Sequence, residues 1–239
     1  MPYSSIPNDV QEFLDGYPDV PDDKRKSANL KFYSNEQRCS PDNMLIDEIH
    51  DDWVGEYQLL EQRHGYIQWL FPIQEHGMNY QSQPLQKHEL QAMKADPQIL
   101  ARLIKSYQLM LDFYGMKLVD KDTGLLSCSL PPRDFEPRYR NFMSRSHNNL
   151  RISRIMKCLS EFGLERLNVG FLLHVLNEQS ENGQLNSPGL TSSMDRWWAN
   201  CIRNDATREW LGTQIKQARE DRSWVFTREQ YEEAMQIPR

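Results

Sequence analysis

Two pairs of residues have the types and spacing of metal ligands. His50 directly precedes Asp51, as in all-α phosphohydrolases whose His-Asp pair holds an ion that activates water. Glu61 and His64 have the spacing that places two ligands on one helix face in di-iron bundles. The first kind of site needs an earlier histidine, but His50 is the first in the chain, and Glu61-x-x-His64 is not repeated. We therefore interpret the pairs as an exposed acidic helix face and a capped helix end, and predict neither metal nor cofactor.

Motifs for nucleophilic catalysis or nucleotide binding are missing from the sequence, which has no G-x-S-x-G elbow, Walker loop or G-x-G-x-x-G turn. The four cysteines, Cys39, Cys128, Cys158 and Cys201, form no C-x-x-C pair, so neither a zinc knuckle nor a redox motif is indicated. We interpret them as reduced, mostly buried thiols. His174 lies in an apolar helical segment and is interpreted as a core residue. We predict that the protein is not an enzyme.

A basic segment interrupts an acidic chain. Residues 133–157 contain seven basic and two acidic side chains, a local net charge of +5 (7 − 2), whereas the whole chain carries −6. Arginine pairs bidentately with phosphate or carboxylate, so this segment predicts a surface for phosphate, nucleic acid or an acidic partner. Its candidate residues are Arg145, His147, Arg151, Arg154 and Lys157. The alternative is a solvated face, opposite the apolar stripe of its helix, that pairs with the chain's own acids.

The composition is that of a folded, soluble protein. Hydrophobic residues make up 38% and charged residues 26% of the 239 residues, so a substantial core can form. The negative net charge and a pI near 5.6 argue against general coating of nucleic acid. No segment has the pattern of a secretory signal or the apolar length of a membrane span.

Apolar residues recur at helical spacing in several segments. Asp96-Pro97 is expected to begin a helix with a wide apolar stripe, which Gly115 ends. A second helix is predicted over 149–162, and Asn168 is expected to cap the next one. Ser40-Pro41 is expected to begin a further helix, whose inner face carries Leu45, Ile49, Trp53 and Leu60.

The remaining segments complete an all-α prediction. Residues 66–73 are the most aromatic run and are expected to be buried, as a helix or a strand, whereas 116–133 is predicted to be a loop. Thr227-x-x-Gln230 resembles a capping box. We predict a single compact domain of roughly eight helices over 30–220, preceded by an irregular arm over 1–29 and followed by a short helix or extension over 221–239.

Several runs resemble one protein family. Tyr66 to Pro72 (YIQWLFP) and Arg145 to Ile155 (RSHNNLRISRI) are similar to the conserved N-terminal domain of the opioid growth factor receptor family. Leu109 to Gly115 (LMLDFYG) lies between them and is similar to the same family. The resemblance covers roughly residues 30–215, which is nearly all of the predicted domain.

This resemblance implies a function and a location. It implies a non-enzymatic receptor for the opioid growth factor, the pentapeptide Met-enkephalin, that restrains cell growth. It also implies action in the cytoplasm, in the nucleus and at the nuclear envelope, without a transmembrane segment.

A peptide with two aromatic side chains and a charged amine needs an aromatic pocket and a carboxylate. Tyr66, Trp69 and Phe71 are the candidate pocket, and Glu61 or Glu75 is the candidate partner for the amine. The alternative is that the three aromatic residues are core. If they form a pocket, alanine at Trp69 abolishes peptide binding without unfolding the domain.

Overall fold

The computed structural model describes residues 6–221 and 223–237, and helices dominate this part of the chain. In chain order the described helices are α1 (Asn8–Leu14), α2 (Ala28–Tyr33), α3 (Ile46–Asp52), α4 (Tyr57–Gln62), α5 (Tyr66–Leu70), α6 (Lys87–Ala95), α7 (Pro97–Tyr114), α8 (Phe135–Ser144), α9 (His147–Glu161), α10 (Glu165–Ser180), α11 (Pro188–Arg196), α12 (Asp205–Glu220) and α13 (Arg228–Gln236), with a 3-10 helix at Trp198–Asn200. Two short strands, β1 (Met116–Leu118) and β2 (Leu126–Cys128), pair antiparallel. The all-α prediction is confirmed, although the helices are shorter and more numerous than the eight expected.

The chain divides into two compact units. Unit 2 comprises residues 17–113, and unit 1 combines the described residues up to Gly16 with those from Tyr114 onward. The domain boundaries predicted at residues 29 and 220 remain a prediction. No helix of the described residues combines the length and the apolar character needed to cross a bilayer.

In unit 2, α2 packs against α6, and most of the longest described helix, α7, belongs to this unit. The predicted helix from Pro97 is confirmed, and Gly115 follows it with a φ of 84°, a left-handed value that ends a helix. Glu89 of α6 is fully buried and accepts hydrogen bonds from the backbone N–H groups of Asn29 (3.0 Å) and Leu30 (3.2 Å). This carboxylate therefore satisfies free N–H groups in the first turn of α2, where the helix dipole favours a negative charge.

The helix expected from Ser40-Pro41 begins later and is interrupted. Asn43 has a φ of 55°, which a helix cannot contain, and α3 begins only at Ile46, with the Glu48 carboxylate accepting from the Leu45 backbone N–H at 2.9 Å. Gly55, with a φ of 84°, then separates α3 from α4. The expectation of one continuous helix was wrong because these two positive φ values break it. Residues 66–70 form the short helix α5, and all five are buried, as expected.

Unit 1 surrounds α10, which packs against α9, α12, α13 and β2. Because α10 is covered on most sides, thirteen of its sixteen residues are buried. Gly170 permits the closest approach, since a Cβ atom there would lie 1.8 Å from the carbonyl oxygen of Gly124 in the β1–β2 turn. The predicted helix over 149–162 is confirmed as α9. Thr227 and Gln230 form the predicted capping box of α13.

Three expectations for unit 1 were wrong. The predicted loop over 116–133 contains the β1–β2 hairpin, whose strands are too short to show an alternating pattern. Asn168 does not cap a helix, because α10 begins at Glu165 and Asn168 is buried inside it, donating to the Met156 carbonyl at 2.8 Å. The arm expected to be irregular contains α1, with Val10 and Phe13 fully buried. Residues 1–5 of that arm lie outside the described part.

Candidate functional site

The three aromatic residues predicted to form a ligand pocket lie in the core of unit 2. Tyr66, Trp69 and Phe71 are 0%, 3% and 0% exposed. The Tyr66 hydroxyl donates to the Leu60 carbonyl at 3.0 Å, and Trp69 Nε1 donates to the Ser40 carbonyl at 3.0 Å. Because their surfaces are covered and these polar groups are satisfied, the three side chains do not present an open pocket, and the structure favours the core alternative.

The two carboxylates predicted to bind an amine are both partly accessible. Glu61, in α4, and Glu75, which follows α5, are half-buried. Glu75 accepts a hydrogen bond from the Tyr17 hydroxyl at 2.7 Å, which fixes the position of one carboxylate oxygen. Glu75 therefore presents a carboxylate in a fixed position at the surface of unit 2.

The loop that follows Glu75 exposes two large apolar side chains. Met78 and Tyr80 are 94% and 90% exposed. Asn79 lies between them and holds the loop in place, because its Nδ2 donates to the carbonyls of Ser40 (2.7 Å) and Gly65 (3.0 Å). We call Glu75, Met78 and Tyr80 the 75–80 surface. It combines a carboxylate, a thioether and an aromatic ring on a backbone that is hydrogen-bonded to its surroundings.

The Ser40 carbonyl joins the aromatic core to this loop. It accepts from both Trp69 Nε1 and Asn79 Nδ2. The core residue Trp69 and the loop residue Asn79 are therefore fixed to the same atom. Glu75 and the aromatic run were predicted from the sequence, whereas Met78 and Tyr80 were missed, because their only signal was an isolated Met and Tyr in a polar loop.

The predicted basic surface, formed by Arg145 after α8 and four residues of α9, is only partly present. Arg145 is exposed, and His147 and Arg154 are half-buried. Arg151 and Lys157 are buried: Arg151 donates to Asn148 Oδ1 at 3.1 Å, and Lys157 Nζ lies 3.0 Å from both a carboxylate oxygen and the backbone carbonyl oxygen of Asp9. Their expected exposure was wrong; in the case of Lys157 the reason is a contact with Asp9 of α1, a segment predicted to be part of an irregular arm.

The two metal-like pairs of the sequence do not assemble into ligand clusters among the described residues. His50 is buried rather than on an exposed face, and its Nε2 lies 2.8 Å from Ser106 Oγ. Burial, together with the smaller effect of the positive charge of Lys105, lowers the pKa of His50 to about 4. Asp51 and His64 are exposed.

A different cluster of potential ligands lies in unit 1. Donor atoms of Cys128, His174 and Glu178 all lie within 4.8 Å of one another. Cys128 ends β2, and His174 and Glu178 are one turn apart on α10, so the hairpin brings the thiol to one face of that helix. Cys128 Sγ lies 3.4 Å from Glu178 Oε1, and the Tyr139 hydroxyl of α8 lies 3.3 Å from Sγ and 3.0 Å from His174 Nε2.

Burial disfavours the charged form of each member of this cluster. It lowers the pKa of His174 to about 3, and the charge of Arg228 acts in the same direction. It raises the pKa of Cys128 to about 11, and it also raises the pKa of Glu178 and of Tyr139. The imidazole is therefore neutral at pH 7, as metal coordination requires. The thiol keeps its proton unless a cation binds beside it.

From the sequence, Cys128 was interpreted as one of four reduced, mostly buried thiols and His174 as a core residue, and both belong to this cluster. The spacing of His174 and Glu178 was a usable signal, because residues four apart share a helix face. Cys128 lies far from them in sequence, and its segment was predicted to be a loop. Only the β1–β2 hairpin places its thiol beside α10.

Comparisons with a family model and with known proteins identify the same family. The model of the opioid growth factor receptor conserved region matches residues 22–232. The mouse opioid growth factor receptor is 42% identical over 172 residues, covering 71% of this chain and 27% of the mouse protein. The human opioid growth factor receptor is 39% identical over 187 residues (77% and 27%), and rat opioid growth factor receptor-like protein 1 is 32% identical over 205 residues (85% and 43%). The chain spans less than half the length of these relatives, and no solved structure matches it.

Proposed function

Because the chain belongs to the opioid growth factor receptor family, we propose that it is a non-enzymatic receptor domain that binds the opioid growth factor, Met-enkephalin. The observation that carries this proposal is the family match over residues 22–232, which includes most of both units. Relatives named as opioid growth factor receptors supply the ligand class. In this proposal the protein takes part in restraining cell growth, and it acts in the cytoplasm, in the nucleus and at the nuclear envelope.

The 75–80 surface is the part of unit 2 that fits such a peptide best. The peptide has two aromatic side chains, a methionine and a free ammonium group. Tyr80 and Met78 offer exposed partners for aromatic and thioether contacts, each worth about 0.3–1.5 kcal/mol. Glu75 offers a carboxylate for the ammonium group, a charge-assisted contact. The chemistry of the ligand and that of the surface are thus complementary.

The predicted aromatic residues keep a role in this proposal, which is to support the surface. Trp69 and Asn79 share the Ser40 carbonyl, so the packing of Trp69 helps to set where the loop lies. A loop held before binding loses less conformational entropy on contact with a peptide. Trp69 therefore acts on binding through the loop and does not itself touch the ligand.

Calorimetry of the purified chain tests the proposal. We expect Met-enkephalin to bind and a scrambled peptide of the same composition to give no comparable heat. Tyr80→Ala removes the exposed ring and is expected to weaken binding about tenfold, which corresponds to about 1.4 kcal/mol. Leu150→Ala removes an exposed apolar side chain of unit 1 and is the matched control, with no change expected. Equal heats from the two peptides would overturn the proposal.

Salt dependence separates this function from the alternative of phosphate or nucleic-acid binding through Arg145 and its neighbours. Binding of a phosphate polymer weakens steeply as salt rises, because counterions are released on contact. Binding of a small peptide through aromatic contacts and one ion pair responds mildly. The burial of Arg151 and Lys157 leaves the basic surface smaller than its sequence suggested.

Cell fractionation tests the proposed location. We expect the full-length protein in the cytosolic and nuclear fractions, with a part that remains with nuclear envelopes. Recovery from the culture medium alone would contradict this part of the proposal.

A further inference from the structure

We propose that Cys128, His174 and Glu178 form a binding site for a divalent transition-metal ion, for which Zn²⁺ is the best fit. The site lies in unit 1 between the end of β2 and one face of α10. It is independent of the peptide-binding function, so either can fail without the other.

One of the distances between ligand atoms already matches a tetrahedral site. Bonds of about 2.0–2.3 Å from zinc to nitrogen, oxygen and sulfur put neighbouring ligand atoms roughly 3.3–3.8 Å apart. Cys128 Sγ and Glu178 Oε1 are separated by 3.4 Å, and the donor atoms of the three residues all lie within 4.8 Å. Small rotations of these side chains therefore suffice to surround an ion. Three protein ligands and a fourth position for water make a set that zinc commonly adopts.

The donor types select the ion. A thiolate and an imidazole favour zinc and its transition-metal neighbours over Mg²⁺ and Ca²⁺, which prefer oxygen ligands alone. The thiolate and the carboxylate together supply two negative charges, which balance a dication in a buried site. On binding, the Cys128 thiol loses its proton to solvent as the Sγ–metal bond forms, and Glu178 binds as the carboxylate. Affinity should consequently rise with pH.

The hydrogen bonds of His174 support this assignment. His174 is fully buried, and its Nδ1 has no hydrogen-bond partner among the described residues. Such an unsatisfied buried atom is uncommon and costs about 1–3 kcal/mol. The site as proposed coordinates the ion through Nδ1, which would give this atom a partner and leave Nε2–H to donate to the Tyr139 hydroxyl oxygen. The same hydroxyl then donates its proton to Cys128 Sγ, so Tyr139 is a positioning residue that orients two ligands at once.

An ion can reach the site from the side of Cys128. This residue is partly exposed, whereas His174 and Glu178 are buried. The thiol is therefore the first ligand that an ion meets, and the two ligands of α10 complete the site behind it.

Titration of the metal-free chain, prepared without a polyhistidine tag, tests the proposal. Binding of Zn²⁺ is measured by calorimetry. Binding of Co²⁺ is measured by the thiolate-to-cobalt charge-transfer absorption, which reports a metal–sulfur bond. We expect one ion per chain with both metals. Absence of the charge-transfer band would overturn the proposal and leave the cluster as a hydrogen-bond network.

Variants assign the ligands. Cys128→Ser is expected to abolish the cobalt–sulfur band, whereas Cys39→Ser, which removes a thiol of unit 2, should leave it unchanged. Tyr139→Phe keeps all three ligands and is expected to weaken binding about 10–100-fold, as loss of an outer hydrogen bond does. If Cys128→Ser lowers stability, Glu178→Gln gives a second test on the same principle, with weaker zinc binding expected. Unchanged affinity in both variants would show that the ion binds elsewhere.

Discussion

His50 Nε2 lies 2.8 Å from Ser106 Oγ, and both residues are buried in unit 2. The sequence suggested that His50 faced solvent beside Asp51, but its ring points inward from α3 toward α7. Burial holds the pKa of His50 down to about 4, so the ring is neutral at pH 7. Its other nitrogen, Nδ1, has no hydrogen-bond partner among the described residues.

Stability is expected to fall as pH drops from about 6.5 to 4. The unfolded chain protonates His50 near its ordinary pKa of about 6.5, whereas the folded chain resists protonation until about pH 4. Acid therefore favours unfolding in this window, by at most about 1.4 kcal/mol per pH unit for one histidine. Urea unfolding at several pH values measures the slope.

The variant His50→Gln isolates this contribution from that of His174, which titrates in the same direction. We expect a shallower slope in the variant between pH 6.5 and 4. The stability that Asp47 and Glu48 gain from a lowered pKa is lost only as pH falls below their ordinary pKa values of 3.8 and 4.5, so it affects no more than the lower end of this window. Equal slopes in the two proteins would contradict the buried, neutral state of His50.

Trp69→Ala is expected to destabilise the protein by about 3–5 kcal/mol, because it empties a large buried volume. It also removes the hydrogen bond to the Ser40 carbonyl. Tyr80→Ala, at an exposed aromatic position, should change stability by less than about 0.5 kcal/mol. Chemical denaturation measures both. A stable Trp69→Ala protein that has lost only peptide binding would instead support the pocket predicted from sequence.

Gly170→Ala is expected to destabilise unit 1 by about 3 kcal/mol or more, because the added Cβ would overlap the Gly124 backbone. Gly212→Ala is a matched control on α12, where a Cβ meets nothing within 4 Å. That variant should gain about 0.5–1 kcal/mol, the usual advantage of alanine in a helix. Thermal unfolding should move in opposite directions for the two. Equal stability of both variants would contradict the close packing of the hairpin turn on α10.

Phe13→Ala is expected to cost about 3–5 kcal/mol, because Phe13 is fully buried and the Arg203 guanidinium lies 4.3 Å from the centre of its ring. Glu12→Ala, at the exposed neighbouring position of α1, should have little effect. Urea unfolding of the two variants provides the comparison. Equal, small effects would support the prediction that this segment is an irregular arm.

The sequence predicted the long helices well because their apolar residues alone specify a buried face. In α7 and α9 this face repeats over four or more turns. The same apolar pattern gave a wrong prediction at α3 and α4, where Asn43 and Gly55 adopt positive φ values within it. It also failed at β1 and β2, because three residues are too few to establish alternation.

The candidate sites were less predictable because they depend on contacts between distant segments. Lys157 was expected on a solvated face, but it is buried and contacts Asp9, 148 residues away in the sequence. A contact over that distance cannot be predicted from the local pattern of α9. Cys128 reaches His174 only through the hairpin. Tyr66 and Trp69 were predicted as candidate pocket residues, but aromatic side chains are also the largest contributors to a core, so their type could not distinguish a pocket from packing.

The most direct test of the proposed receptor function is an NMR titration of the chain labelled at methionine methyl groups. Met78 is almost fully exposed on the 75–80 surface, whereas Met110 and Met156 are buried. Addition of Met-enkephalin should shift the Met78 signal in a saturable way and leave the buried signals in place, and the scrambled peptide should shift none of them. An unchanged Met78 signal at saturating Met-enkephalin would contradict the proposed binding surface.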